Sequence, residues 1–255
     1  MSITPSHTLV LITGANQGLG YECVKKLAAE QPNYHIILCS RTAERGQEAA
    51  EAITDLAAGT SVEALQLDVD DDESIATAAK YVQDRYGRLD VLFNNAGIGR
   101  PPAGATPLTL RESFLKVIET NAVSAMVVTE AFVPLLKKAE VPRLLFMSSG
   151  LGSITYTLDP SWPYYGYGLN AKVQPYIASK ATMNMIAALC AVQYEKDGVK
   201  VNAVDPGYRA TNLNGYSEAA GKPSDGAIEA CRLIVDTDRN GQHATFTSTE
   251  TVHPW

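Results

Sequence analysis

Leu9-Val10-Leu11-Ile12-Thr13-Gly14-Ala15-Asn16-Gln17-Gly18-Leu19-Gly20 is the stretch from which the fold can be read. An apolar run of strand length breaks into a turn whose glycines are spaced four and two residues apart. The turn opens directly into the amphipathic pattern 19–30, so strand, turn and helix follow without a linker. Gly14 can take a tight turn, Gly18 lets the backbone approach a pyrophosphate, and Gly20 permits close helix packing. A phosphate placed there meets the positive end of a helix. The stretch therefore reads as a dinucleotide-binding turn, with Asn16, Gln17 and Leu19 between the glycines.

Outward from this turn the same rhythm repeats. Runs 35–40, 62–67, 91–94, 144–148 and 201–205 read as further buried strands, and 245–248 allows a final edge strand. Amphipathic stretches such as 44–56, 74–86 and 177–195 lie between them. That alternation predicts an α/β fold: one doubly wound parallel sheet with helices on both faces and right-handed crossovers. Nothing divides the chain, so its 255 residues are expected to form a single domain. Three segments interrupt the rhythm: 100–107 with its prolines, 152–175 with Trp162, Tyr164, Tyr165 and Tyr167, and 212–223. Each follows the carboxyl end of a strand, where open α/β sheets bind ligands.

A formal charge of −7, with basic residues scattered, gives no footprint for nucleic acid. The run 9–12 is far too short for a membrane span, and a cytoplasmic protein is expected. Cys23, Cys39, Cys190 and Cys231 form no C-x-x-C pair and read as buried thiols. The four histidines are dispersed, so no metal site is expected.

At the end of the second strand stand Ser40 and Arg41, where an acidic residue would hold the ribose hydroxyls of NAD. Serine removes a repulsive charge and a guanidinium can grip a 2′-phosphate, which favours NADP(H) over NAD. The alternative is a surface arginine at a helix start. Tyr176 and Lys180 lie one helical turn apart, so phenol and ammonium share a face. The ammonium is expected to draw the phenol pKa down towards the working pH, and such a tyrosine exchanges protons with a carbonyl or an alcohol. Spacing alone is weak, because Tyr21 and Lys25 repeat it and read as a surface pair.

The glycine turn, Asp68-Val69, Asn94-Asn95-Ala96-Gly97, Asn121, Ser149, Tyr176/Lys180 and Pro206-Gly207 occur in this order over nearly the whole length. In this the chain resembles the short-chain dehydrogenase/reductases, and within them the NADPH-dependent carbonyl reductases. The resemblance implies that Asp68 and Val69 contact adenine and that Asn95, Ala96 and Gly97 line the adenosine side of the cleft. It makes Tyr176 the acid and base, Ser149 the holder of the substrate oxygen, and Lys180 the ligand of the nicotinamide ribose. Asn121 would link Lys180 through water to solvent, while 204–211, with Pro206, Gly207 and Thr211, would flank the nicotinamide. The pro-S hydride is the one such a family transfers.

Of the adjacent serines, the resemblance selects Ser149 and turns Ser148 away. The 27 positions from Ser149 to Tyr176 exceed the family's usual distance. Carbonyl reductases that act as monomers carry an insertion there, so 151–175 is expected to be an insertion near the substrate, and the chain a monomer. The aromatics of this stretch either roof the substrate or pack the insertion onto the body. The function implied is reduction of a small-molecule ketone or aldehyde. The alternatives are an alcohol dehydrogenase working oxidatively and an NADP-binding regulatory protein without turnover.

Overall fold

The computed structural model describes residues 7–100 and 108–255. Its strands β1 (Thr8–Ile12), β2 (Tyr34–Ser40), β3 (Ser61–Gln66), β4 (Val91–Asn94), β5 (Arg143–Met147), β6 (Lys200–Val204) and β7 (Thr245–Thr247) form one sheet in the order β3-β2-β1-β4-β5-β6-β7. Every neighbouring pair is parallel. The expected edge strand is present as β7. Of the expected loop 100–107, all but Arg100 lies outside the described residues.

Alternation along β1 shows why the sheet is covered twice. Leu9 and Leu11 enter the core shared with Phe132, Met183 and Cys190, whereas Val10 and Ile12 enter the opposite core with Val24, Leu27 and Ile234. The first core is closed by α3 (Asp72–Tyr86), α5 (Ser124–Leu136) and α7 (Gln174–Tyr194); the second by α1 (Gly18–Glu30) and α9 (Ile228–Val235). A strand with both faces buried must be apolar throughout, as β1 is. The result is a single Rossmann-like domain. All four cysteines are buried free thiols. No helix among the described residues is long and apolar enough to cross a membrane.

The structure departs from the expected boundaries in two places. The helix expected over 44–56 is α2 (Ala43–Glu51) and stops early, because Ile53 turns back into the core. The stretch 152–175 is not structureless: it holds α6 (Ile154–Leu158) and a 3₁₀ turn at Tyr167–Leu169. Between α4 (Leu110–Ile118) and α5 the backbone widens into a π turn, Glu119–Val123. The remaining short elements are α8 (Pro223–Gly226) and 3₁₀ turns at Gly150–Gly152, Glu195–Asp197 and Asn212–Asn214.

At the β3 edge, Glu63 gathers a polar knot. It accepts from the hydroxyl of Tyr86 at 2.6 Å and from that of Tyr81, and lies 3.1 Å from His35 Nε2. Burial alone would raise the Glu63 carboxyl, but the hydrogen bonds from His35, Tyr81 and Tyr86 outweigh it and hold it at about 2. A depressed carboxyl stabilises the fold above its unfolded value near 4.5, and that contribution is lost as pH falls towards 2. Glu63→Gln is therefore expected to cost about 1–3 kcal/mol at neutral pH and to flatten the acid limb of the stability curve. Urea unfolding at stepped pH, wild type against variant, checks both.

Candidate active site

Between β1 and β4 the strand order reverses, leaving a crevice at their carboxyl ends. The glycine turn lies at its mouth. Gly14 and Gly18 both have φ of +60°, a backbone state that side chains disfavour, and a Cβ on Gly14 would come within 2.9 Å of Ala96 Cα. The turn is stapled to β4: Asn95 Nδ2 donates to the carbonyls of Thr13 (2.8 Å) and Gly14 (3.2 Å), and Thr13 Oγ1 accepts from Asn95 N and Ala96 N, both at 3.0 Å. The Asn95 side chain thus shapes the turn rather than simply lining the cleft. Gln17 begins α1 without a side-chain cap, so the first-turn N–H groups stand open to an anion. Leu19 packs on the core beneath.

Ser40, at the end of β2, is buried, and its hydroxyl accepts from Thr42 N at 3.3 Å. Arg41 beside it is exposed, and its guanidinium has no hydrogen bond or ion pair among the described residues. Asp68 follows β3, and Leu67 N donates to Ser40 O at 2.9 Å, bringing Asp68-Val69 next to Ser40. On the far side, Thr211 and Asn212 close on the turn: a Cβ on Gly18 would lie 3.2 Å from Asn212 Oδ1 and 3.8 Å from Thr211 Cβ. Asn212 lies just beyond the segment 204–211 that the resemblance marks. An uncapped helix end, left-handed glycines and an uncommitted guanidinium suit a dinucleotide with an extra phosphate.

Beyond β5 the chain runs Ser148-Ser149-Gly150, and the two serines diverge. Ser148 is buried and donates to Asn184 Oδ1 at 2.5 Å, whereas Ser149 caps the following 3₁₀ turn, its Oγ accepting from Leu151 N at 3.3 Å. The Ser149 hydroxyl is near enough to the Tyr176 phenol to favour its ionised form. Tyr176 lies in the first turn of α7, after Pro175, which helices tolerate there because no amide donor is needed. Lys180 Nζ sits 5.6 Å from the Tyr176 ring centroid and donates to Met147 O at 2.6 Å. By contrast, Tyr21 and Lys25 lie on α1 with Lys25 paired to Glu22 at the surface.

Asn121 falls within the π turn and is fully buried. Its side chain is spent: Oδ1 accepts from Ile98 N (2.7 Å), and Nδ2 donates to Ile98 O and to Ser179 Oγ (both 2.9 Å). Ser179 in turn donates to Tyr176 O at 2.7 Å. The Asn121 side chain therefore braces the start of α7 and makes no direct bond to Lys180 among the described residues. Both approach Gly97, where a Cβ would lie 3.1 Å from Asn121 Oδ1 and 3.8 Å from Lys180 Nζ. Pro206 and Gly207 follow β6; Gly207 N donates to Asp205 Oδ1 at 3.0 Å.

The electrostatics differ from the sequence expectation in one respect. Burial, then the Asp205 carboxylate, push the Tyr176 phenol above its ordinary value; the Ser149 hydroxyl opposes them. Burial pushes the Lys180 ammonium down to about 8, and Lys180 is not among the groups that shift the phenol. The expected depression of the phenol by Lys180 is thus not found.

A family model described as short chain dehydrogenase matches residues 8–221. The short-chain dehydrogenase anuI of Penicillium roqueforti is 37% identical over 238 residues, covering 91% of this chain and 89% of the relative. Carbonyl reductase [NADPH] 1 of Mus musculus is 26% identical, covering 99% of this chain and 100% of the relative. Among solved structures, NADPH-bound carbonyl reductase from chicken fatty liver superposes with a TM-score of 0.77 at 25% identity, over 98% of this chain and 96% of that one. Glycine turn, reversed strand order and the Ser149–Tyr176–Lys180 grouping lie on one chain matched by the family model over most of its length, and that chain belongs to the short-chain dehydrogenases.

Proposed function

We propose that this oxidoreductase reduces a ketone or aldehyde to an alcohol with NADPH, Tyr176 being the proton donor. The observation that carries the reading is the grouping of Tyr176 in the first turn of α7, Lys180 Nζ 5.6 Å from its ring centroid, and Ser149 just after β5. When bound, the nicotinamide supplies a hydride to the carbonyl carbon. Oxygen then gains negative charge, and a group that donates to it as it forms lowers the barrier. In this reading Ser149 Oγ–H holds that oxygen and Tyr176 Oη–H gives it a proton, completing the alcohol. Lys180 keeps a positive charge under the phenolate left behind, and Asn121 with Ser179 fixes the helix start from which Tyr176 projects.

The same residues would serve alcohol oxidation, and the ratio of NADPH to NADP with the substrate sets which direction runs. Asn121, Ser149, Tyr176 and Lys180 are all present, which argues against a binding protein without turnover. The free guanidinium of Arg41 supports NADPH over NADH, as does the cofactor named for the mouse and chicken relatives.

We read the aromatic stretch as divided between the two roles that the sequence leaves open. Trp162 stacks on Tyr156 with ring centroids 5.2 Å apart and packs inward, while Tyr164, Tyr165 and Tyr167 remain 48%, 54% and 46% exposed. Tyr167 is close enough to influence the Tyr176 phenol. We place these three tyrosines at the substrate entrance, where their apolar faces suit an apolar carbonyl compound. Oxidation of NADPH, followed optically over a panel of aldehydes, ketones and quinones, is expected to show turnover that NADH supports poorly. Tight NADPH binding with no turnover across the panel would overturn the reading.

A further inference from the structure

The loop after β3 carries Asp70, whose carboxylate accepts three hydrogen bonds, each of 2.8 Å. Oδ2 takes those from Lys116 Nζ and Thr120 Oγ1, and Oδ1 takes that from Ser124 Oγ. The three donors are spaced four residues apart and project from one side of the helical stretch. Lys116 belongs to the end of α4, Thr120 to the π turn and Ser124 to the start of α5. One carboxylate therefore spans the widened turn from its entry to its exit.

The anchor is itself fixed. Asp70 N donates to Asp68 Oδ1 at 3.1 Å, Asp68 N donates to Ser74 Oγ at 2.9 Å, and Asp71 caps α3 by accepting from Glu73 N at 3.0 Å. Thr120 and Ser124 are buried, so their hydroxyls need partners inside the protein, and the carboxylate supplies them. Burial alone would raise the Asp70 carboxyl, but the bonds from Lys116, Thr120 and Ser124 outweigh it and hold it below its ordinary value. The acceptor is thus an ionised group, whose hydrogen bonds are the stronger kind. A π turn departs from the regular helix ladder, so whatever grips it decides where its residues point. Asn121 follows Thr120 in that turn, and its side chain reaches Ile98 N at 2.7 Å and Ser179 Oγ at 2.9 Å; Ser179 then donates to Tyr176 O at 2.7 Å.

We propose that Asp70 is a positioning residue: it clamps the π turn so that Asn121 meets Ile98 and Ser179, and through Ser179 it sets where Tyr176 stands. The proposal rests on the reading of Tyr176 as proton donor. Because Asp70 acts through Asn121, the two residues behave as one unit in turnover. The clamp also ties the loop that holds Asp68 and Val69 to the helix that carries Tyr176, two parts of the crevice that lie far apart in sequence.

Two readouts test it: steady-state kinetics of carbonyl reduction, and amide hydrogen exchange resolved by NMR on the enzyme without substrate. Asp70→Ala is expected to lower kcat by about 10–100-fold, since a small misplacement of a reacting group costs that much, and to leave the KM for the carbonyl within about threefold. The double variant Asp70→Ala/Asn121→Ala should be no slower than Asn121→Ala alone. Thr120→Val/Ser124→Ala, which keeps the carboxylate and removes two of its donors, should reproduce the Asp70→Ala loss, whereas Thr120→Ser, which keeps the hydroxyl, should stay near the wild type. In Asp70→Ala, exchange should quicken at the Ile98 amide and over 177–183 while β1 keeps its protection. A wild-type kcat in Asp70→Ala, a multiplied loss in the double variant, or exchange that is unchanged or quickens evenly across the sheet would overturn the proposal. Should Asp70→Ala fail to fold, the contrast between Thr120→Val/Ser124→Ala and Thr120→Ser decides by the same readouts. Should Tyr176→Phe retain turnover, the proton-donor reading falls, yet exchange at Ile98 and 177–183 still judges the clamp.

Discussion

Tyr176→Phe is expected to lower kcat/KM for carbonyl reduction by about 10³-fold while leaving NADPH binding near the wild-type value. Phenylalanine keeps the ring that packs in the first turn of α7 and removes only the hydroxyl, so folding and the crevice persist. What disappears is the proton that completes the alcohol. Because it acts on the oxygen as charge develops, the loss falls on kcat rather than on KM. Steady-state kinetics together with cofactor fluorescence titration separates the two. A matching fall in NADPH affinity would mean that the hydroxyl serves binding instead.

The second large effect is on cofactor choice. Arg41→Ala should raise the KM for NADPH by about 30–100-fold and leave that for NADH within about twofold, since a charge-assisted contact to phosphate is worth roughly 2–3 kcal/mol. The residue is exposed and uncommitted, so its removal disturbs no packing. Ser40 directly before it is buried and offers no charge to repel a phosphate. Equal changes for both cofactors would return Arg41 to the role of an ordinary surface arginine.

The features that a sequence displays locally were legible. The period-two alternation of Leu9, Val10, Leu11 and Ile12 announced a strand buried on both faces, and the glycine spacing announced the turn that the structure shows at φ of +60°. Features set by distant chain segments were not. The π turn around Asn121 is one extra residue of backbone width, and no side-chain pattern marks it. The Tyr176–Lys180 spacing suggested a phenol drawn down by its neighbour, but burial dominates both groups and Asp205, contributed by the end of β6, adds to it. His253 read as one of four scattered histidines, because nothing near position 253 tells where the tail folds back. The resemblance puts Asn95 on the adenosine side, and the structure adds that its amide bonds the carbonyls of the glycine turn.

The measurement that tests the account most directly is transfer of isotope from NADPH carrying two deuteriums at nicotinamide C4 to a carbonyl substrate, with the product analysed by mass spectrometry. The account predicts one deuterium, bonded to the new carbinol carbon, and no product with Tyr176→Phe beyond about a thousandth of the wild-type rate. An alcohol formed without deuterium, or a Tyr176→Phe enzyme that makes the labelled alcohol at the wild-type rate, would contradict it.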